Sequence, residues 1–165
     1  MKPSLPRGAL WDAQLAEALE TAEHSVGAYY AIRPREWATR FRYDIASSAE
    51  HPELAFSPSA LAQIVRLENT SQSTSRYRIV LREAEVCALG ELFGLQIVLT
   101  AALAHELVHL VRFGQGLASF DASDAERLEE ERRVTRVSEE ALLRSTPPDQ
   151  CANYRRIFAS MDPGR

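Results

Sequence analysis

The sequence predicts an α+β fold in which a small, twisted, mainly antiparallel sheet packs on a central helix, with further helices before and after it. Three observations predict this. Apolar residues recur at three- and four-residue spacing near both ends of the chain, and β-rich segments cluster in the first half. Between them and the C-terminal helices, the uncharged run Leu92 to Ala104 leads into LTAALAHELVHLVRF, from Leu99 to Phe113. With 165 residues, 45% of them hydrophobic and 25% charged, the chain can bury a core without disulfide staples.

Trp11, Leu15, Ala18, Leu19, Ala22, Val26 and Tyr29 carry the helical period, which predicts a first helix over Leu10 to Tyr30. Pro34 marks its end, and His24 reads as a surface or capping residue. In WATRFRYDIASS, Trp37 to Ser48, Phe41, Tyr43 and Ile45 alternate with Arg42 and Asp44, the period of a strand. His51-Pro52 and Ser57-Pro58 punctuate a loop, where His51 matters only if that loop folds over a cleft. Ala62 to Glu68 and Arg76 to Arg82 then read as a hairpin whose long, mobile turn is NTSQSTS. An exposed edge of such a sheet can hold a peptide in extended form.

Glu83 to Gly90 reads as a short helix or connection, because Gly90 and Gly94 weaken any helix through them. The central helix is expected from about Leu92 to Phe113, stopped by Gly114 and Gly116. Ser123 or Asp121 can cap the next helix, SDAERLEEERRVTRVSEEALL, whose apolar face is Leu128, Val134, Val137, Ala141 and Leu142. Thr146-Pro147-Pro148 breaks it, and Asp149 to Met161 forms a last helix with Tyr154, Ile157 and Phe158 on one face.

The chemistry concentrates in His105, Glu106 and His109, an HExxH pattern. Helical residues four apart lie one turn apart on the same face, so both imidazoles can point at one metal ion. Glu106 sits about 100° round the helix, placed to take a proton from water polarised by zinc. The flanking residues, from Ala101 to Ala104 and from Leu110 to Val111, are uncharged, and buried histidines and a glutamate among them need partners. Ordinary hydrogen bonds in a helical domain without metal are the plain alternative.

A third protein ligand must come from elsewhere. The other histidines are His24 and His51, so none lies downstream of the motif. Glu131 falls between Leu128 and Val134, near the middle of the apolar stripe, where an unpaired carboxylate is costly. Glu130 lies toward Val137 and is the reserve; Glu129 points away, with Arg133 in reach, and ranks third.

His105-Glu106-x-x-His109 followed by a glutamate helix resembles the gluzincin group of zinc metallopeptidases. In its compactness, and in ELVHLVRF and EEERRVTRVSEE, the stretch from Arg76 to Leu143 is similar to the minigluzincins. The resemblance implies a zincin-like arrangement, with His105, His109 and Glu131 binding Zn2+ and Glu106 as general base for hydrolysis of a peptide or protein substrate. The long metzincin motif is excluded, since Gln115 and Arg112 stand where His and Gly would be. Gluzincins often carry Asp or His four residues after the ligand glutamate; here that residue is Thr135. Tyr154, Tyr77 and Tyr43 are oxyanion-stabilising candidates by residue type.

One zincin-like domain is therefore expected over 1–165. Residues 1–75 would supply the first helix and strands, 76–145 the metal-binding core and 146–165 a helical tail. The tail could impose latency, since a Cys151 thiolate or Asp149 carboxylate could occupy an open zinc position. A net charge of −4 without a basic block argues against nucleic acid as a partner. Cys87 and Cys151 lack paired spacing, and the N-terminus lacks an apolar signal core. These features predict a cytoplasmic location without membrane association. The competing functional expectation is a metal-binding regulatory or protein-interaction module with the same fold and little or no proteolytic activity.

Overall fold

The computed structural model describes residues 8–67 and 76–162. The chain begins with α1 (Ala9–Tyr30), which turns Ala18, Ala22 and Val26 into the core. It ends before Pro34, at Ala31, whose left-handed backbone (φ 55°) lets its N–H close onto the Gly27 carbonyl. The strand expected from Trp37 is shorter. A single helical turn, α2 (Glu36–Thr39), comes first, and β1 covers only Tyr43–Ser47. The Glu36 carboxylate accepts the Arg33 N–H at 2.7 Å, which fixes this turn, and Trp37 packs on Phe41. Local capping and aromatic packing thus override the alternation at its start.

β2 (Ala62–Leu67) and β3 (Arg76–Leu81) pair antiparallel with Ile64 opposite Ile79. Their connection, from Glu68 through NTSQSTS, lies outside the described residues. β1 pairs parallel with β3, Ile45 opposite Ile79, so the order is β1-β3-β2. The three-stranded sheet is mixed, with one parallel and one antiparallel pair, which corrects the mainly antiparallel expectation. The loop from β1 to β2 is long enough to carry the chain to the far side of β3, and the hairpin return then aligns β3 with β1.

α3 (Glu83–Phe93) runs through Gly90 instead of stopping there. A Cβ at Gly90 would stand 3.1 Å from Leu95 Cα, so a larger residue would push the next helix back by a few tenths of an ångström. The break comes at Gly94, with φ 91°. The central helix, α4 (Leu95–Gly114), is buried from Val98 to Arg112 and touches α1, α3, β2 and β3. Its length and mean hydropathy of 1.4 would suit a membrane span, but 83% of that apolar window is buried within the protein.

Ser123 caps α5 (Asp124–Ser145) in a reciprocal box with Glu126. Val134, Val137, Ala141 and Leu142 face the core, whereas Leu128, expected among them, is 40% exposed. α6 (Pro148–Met161) starts at a proline suited to a first helical turn and buries Tyr154, Ile157 and Phe158. α5 and α6 both pack on α4, so the tail is part of the core. The molecule is α+β, with a small sheet and helices around one central helix.

Candidate metal centre and cleft

α4 places His105 and His109 one turn apart, both about 5% exposed, with ring centroids 4.9 Å apart. α5 crosses so that Glu131 meets both. His105 Nε2 lies 3.2 Å from one carboxylate oxygen and His109 Nε2 lies 3.0 Å from the other. An ionised carboxylate only accepts, so in the metal-free protein both Nε2–H groups donate to it. Burial alone would raise the Glu131 pKa, but the two imidazoles overcome that and hold it well below the ordinary carboxylate range.

The fit of this set to a metal can be tested on its geometry. One atom from each side chain lies within 4.8 Å of the others. Tetrahedral zinc with bonds of about 2.0–2.1 Å would separate its ligand atoms by about 3.3 Å. The 3.0 and 3.2 Å contacts run to different oxygens of the one carboxylate, so a shared ion would draw the three groups onto a single ligand atom each; two imidazoles with one carboxylate are a donor set zinc accepts. Both Nδ1 atoms are buried without a hydrogen-bond partner, as is Thr135 Oγ1 on the turn after Glu131. Ring orientation therefore rests on packing instead of on the second hydrogen bond such histidines usually make. The His109 ring stacks on Phe113, with centroids 5.9 Å apart and planes at 13°.

The other two glutamates are engaged elsewhere. Glu130 is held by Arg112 through both carboxylate oxygens, one contact at 3.1 Å. Glu129 is exposed beside Arg133. The structure thus brings Glu131, and neither neighbour, to the two histidines.

Glu106 is 4% exposed, and burial pushes its pKa up to about 7. Its carboxylate faces the Ile64 N–H on β2, which offsets part of that rise. Among the described residues, β2 is an edge strand. Arg82 N–H donates to the Leu61 carbonyl, so these opposed residues form a hydrogen-bonded pair. By alternation, Ala62, Ile64 and Arg66 then present their backbone N–H and C=O groups away from β3. The open edge of the sheet therefore runs directly beside Glu106.

A cleft of about 1080 Å³ opens over these residues. β2 and the segment from Ser57 form one side, and Phe113, Leu117, Phe120 and Leu128 lie along another. His51 does not join them. It faces Glu53 at 3.0 Å and Arg78 at 3.4 Å.

None of the tyrosines expected as oxyanion stabilisers lines the cleft. Tyr43 donates to Glu23 at 2.5 Å, Tyr77 is buried on Phe120, and Tyr154 is buried against Thr100. Nor do the two groups expected to impose latency. Cys151 donates its thiol to the Thr146 and Pro147 carbonyls and Asp149 is exposed, while Met161 is the one described residue of α6 that lines the cleft.

No family model matches the chain, and comparison with curated proteins and with solved structures likewise gives no match. The functional reading therefore rests on the site itself.

The residue that sequence reasoning missed is Arg112. Its signal was present as a lone arginine at the end of an apolar helix, one turn beyond a candidate ligand.

Proposed function

We propose that this chain is a zinc-dependent metallopeptidase of zincin-like, gluzincin-type arrangement, a compact hydrolase similar to the minigluzincins. The observation that carries the reading is the convergence of His105, His109 and Glu131 at the floor of an open cleft, with Glu106 beside them under an edge strand. A closed structural metal site would be expected to supply a fourth protein ligand. Among the described residues, the cluster holds three.

His105, His109 and Glu131 would hold the metal. When bound, zinc supplies Lewis-acid polarisation of water and of a substrate carbonyl. The peptide lies extended along the outer edge of β2, where the Ala62 and Arg66 backbone groups offer ladder hydrogen bonds. Glu106 takes one proton from water as its oxygen bonds to the carbonyl carbon. The proton then passes to the leaving nitrogen as the C–N bond breaks, giving a carboxylic acid and an amine, between which the water's second proton redistributes. Burial raises the Glu106 pKa in the metal-free protein, and a divalent cation bound beside it would favour the carboxylate, the form that accepts the proton.

The test is zinc content of protein purified without added metal, with Glu106→Gln assayed alongside on a broad peptide mixture by mass spectrometry. About one zinc per chain, with turnover in the wild type and none in metal-loaded Glu106→Gln, is the expected result. No zinc, even after incubation with it, overturns the reading.

One observation favours a second reading, a metal-binding regulatory or interaction module. Among the described residues, the cleft lining contains no tyrosine and no histidine beyond the two on α4, so the donor types expected at an oxyanion do not line it. Stoichiometric zinc without cleavage of any peptide would select that reading.

A further inference from the structure

Arg112 stands three residues after His109, and Glu130 immediately precedes Glu131. They join through two parallel contacts, Arg112 Nε to one carboxylate oxygen and a terminal guanidinium nitrogen to the other. Such a fork fixes rotation as well as distance, which a single contact does not. The side chains are 9% and 15% exposed, and the Tyr30 side chain from α1 lies beside the same guanidinium. Three helices therefore meet at one guanidinium, next to the ligand-type residues.

An ion pair this buried gains little over an apolar pair of similar volume. What it supplies is registry. α5 carries three consecutive glutamates, and rotating it by one residue, about 100°, would offer the histidines a different one. With Glu130 locked, the rotation is set and Glu131 alone faces His105 and His109.

We infer that Arg112 is a positioning residue for the metal site: by clamping Glu130 it sets the rotation of α5 that delivers Glu131 to His105 and His109. This rests on the metal-binding part of the proposed function. It assigns Arg112 no contact with substrate or metal.

The experiment is Co2+ titration of the full chain, read by visible absorption of the bound ion, with zinc affinity from competition against a chromophoric chelator. The variants are Arg112→Lys, the double replacement Arg112→Leu with Glu130→Leu, and the swap Arg112→Glu with Glu130→Arg. The double leucine variant leaves no unpaired buried charge and is expected to fold with wild-type circular dichroism. Its metal affinity is expected to fall about 10–100-fold, with an altered cobalt spectrum. The swap, which rebuilds the pair, is expected to recover most of the affinity.

A folded double variant that binds Co2+ with wild-type affinity and spectrum overturns the inference and reduces the pair to a structural contact. Should that variant fail to fold, Arg112→Lys decides, since it keeps the charge and loses the fork. Weaker binding with a shifted spectrum supports the clamp, and wild-type binding overturns it. Wild-type protein that binds neither Co2+ nor zinc overturns the metal reading itself, an outcome distinct from variants that bind normally.

Discussion

The carboxylate of Glu106 faces the backbone N–H of Ile64, bringing the central helix to the edge of the sheet. This places the strand edge, where an extended peptide could add, beside the proposed base.

The burial of Glu106 gives it a measurable pH signature in the metal-free protein. Burial raises its pKa to about 7 from the ordinary 4.5, so the folded chain holds the proton more tightly than the unfolded one. Stability is then lost as pH rises from about 4.5 to about 7, and the full penalty applies above that range. Chelator-treated Glu106→Gln is expected to melt on the order of 5 °C above wild type at pH 8 and to converge with it near pH 4. An equal difference at both pH values would contradict this.

Glu131 carries the opposite sign. Its pKa is held low by the two imidazoles despite burial, so its contribution is present above the ordinary value and lost as pH falls through and below it. Its carboxylate also links metal to stability, because a ligand bound only by the folded state raises Tm. Zinc should raise the melting temperature of wild-type protein and leave Glu131→Ala unmoved. A zinc-induced rise retained in Glu131→Ala would remove this residue from the ligand set.

Phe113 is predicted to matter through His109. The Phe113 ring, stacked 5.9 Å away, adds to the Glu131 contact in orienting an imidazole whose Nδ1 has no hydrogen-bond partner. Phe113→Ala should lower zinc affinity about tenfold, by analogy with lost outer contacts to metal-binding histidines. Chelator competition measures it, and an unchanged affinity would assign the ring orientation to other contacts.

Gly114 closes the central helix against Phe41, a ring 1% exposed. A Cβ there would meet the ring at 2.8 Å, closer than packed atoms approach. Gly114→Ala should therefore destabilise the protein by about 1–3 kcal/mol despite the better helix propensity of alanine. Urea unfolding with a lowered midpoint is the expected result; a raised midpoint would show that Phe41 yields freely.

Much of the site was legible because it is local. The four-residue spacing of His105 and His109 is a property of one helix, and a glutamate between Leu128 and Val134 stands out wherever that helix packs. Ser123 and Glu126 announce their cap within four residues. Less legible were places where packing competes with pattern. Phe41, Tyr43 and Ile45 alternate, yet Trp37 and Glu36 make a helical turn before them. Gly90 reads as a breaker until Leu95 is seen pressing against it.

The sequence by itself determined the α+β character, the central helix with its paired histidines, and Glu131 as the carboxylate to test first. These depend on periods of two and 3.6 residues, which are written into the chain. Only the tertiary structure decided that β1 runs parallel to β3, that Arg112 takes Glu130, and that Tyr43, Tyr77 and Tyr154 lie outside the cleft. Each joins elements far apart in sequence, and residue type and spacing carry no record of which distant partner a side chain will meet.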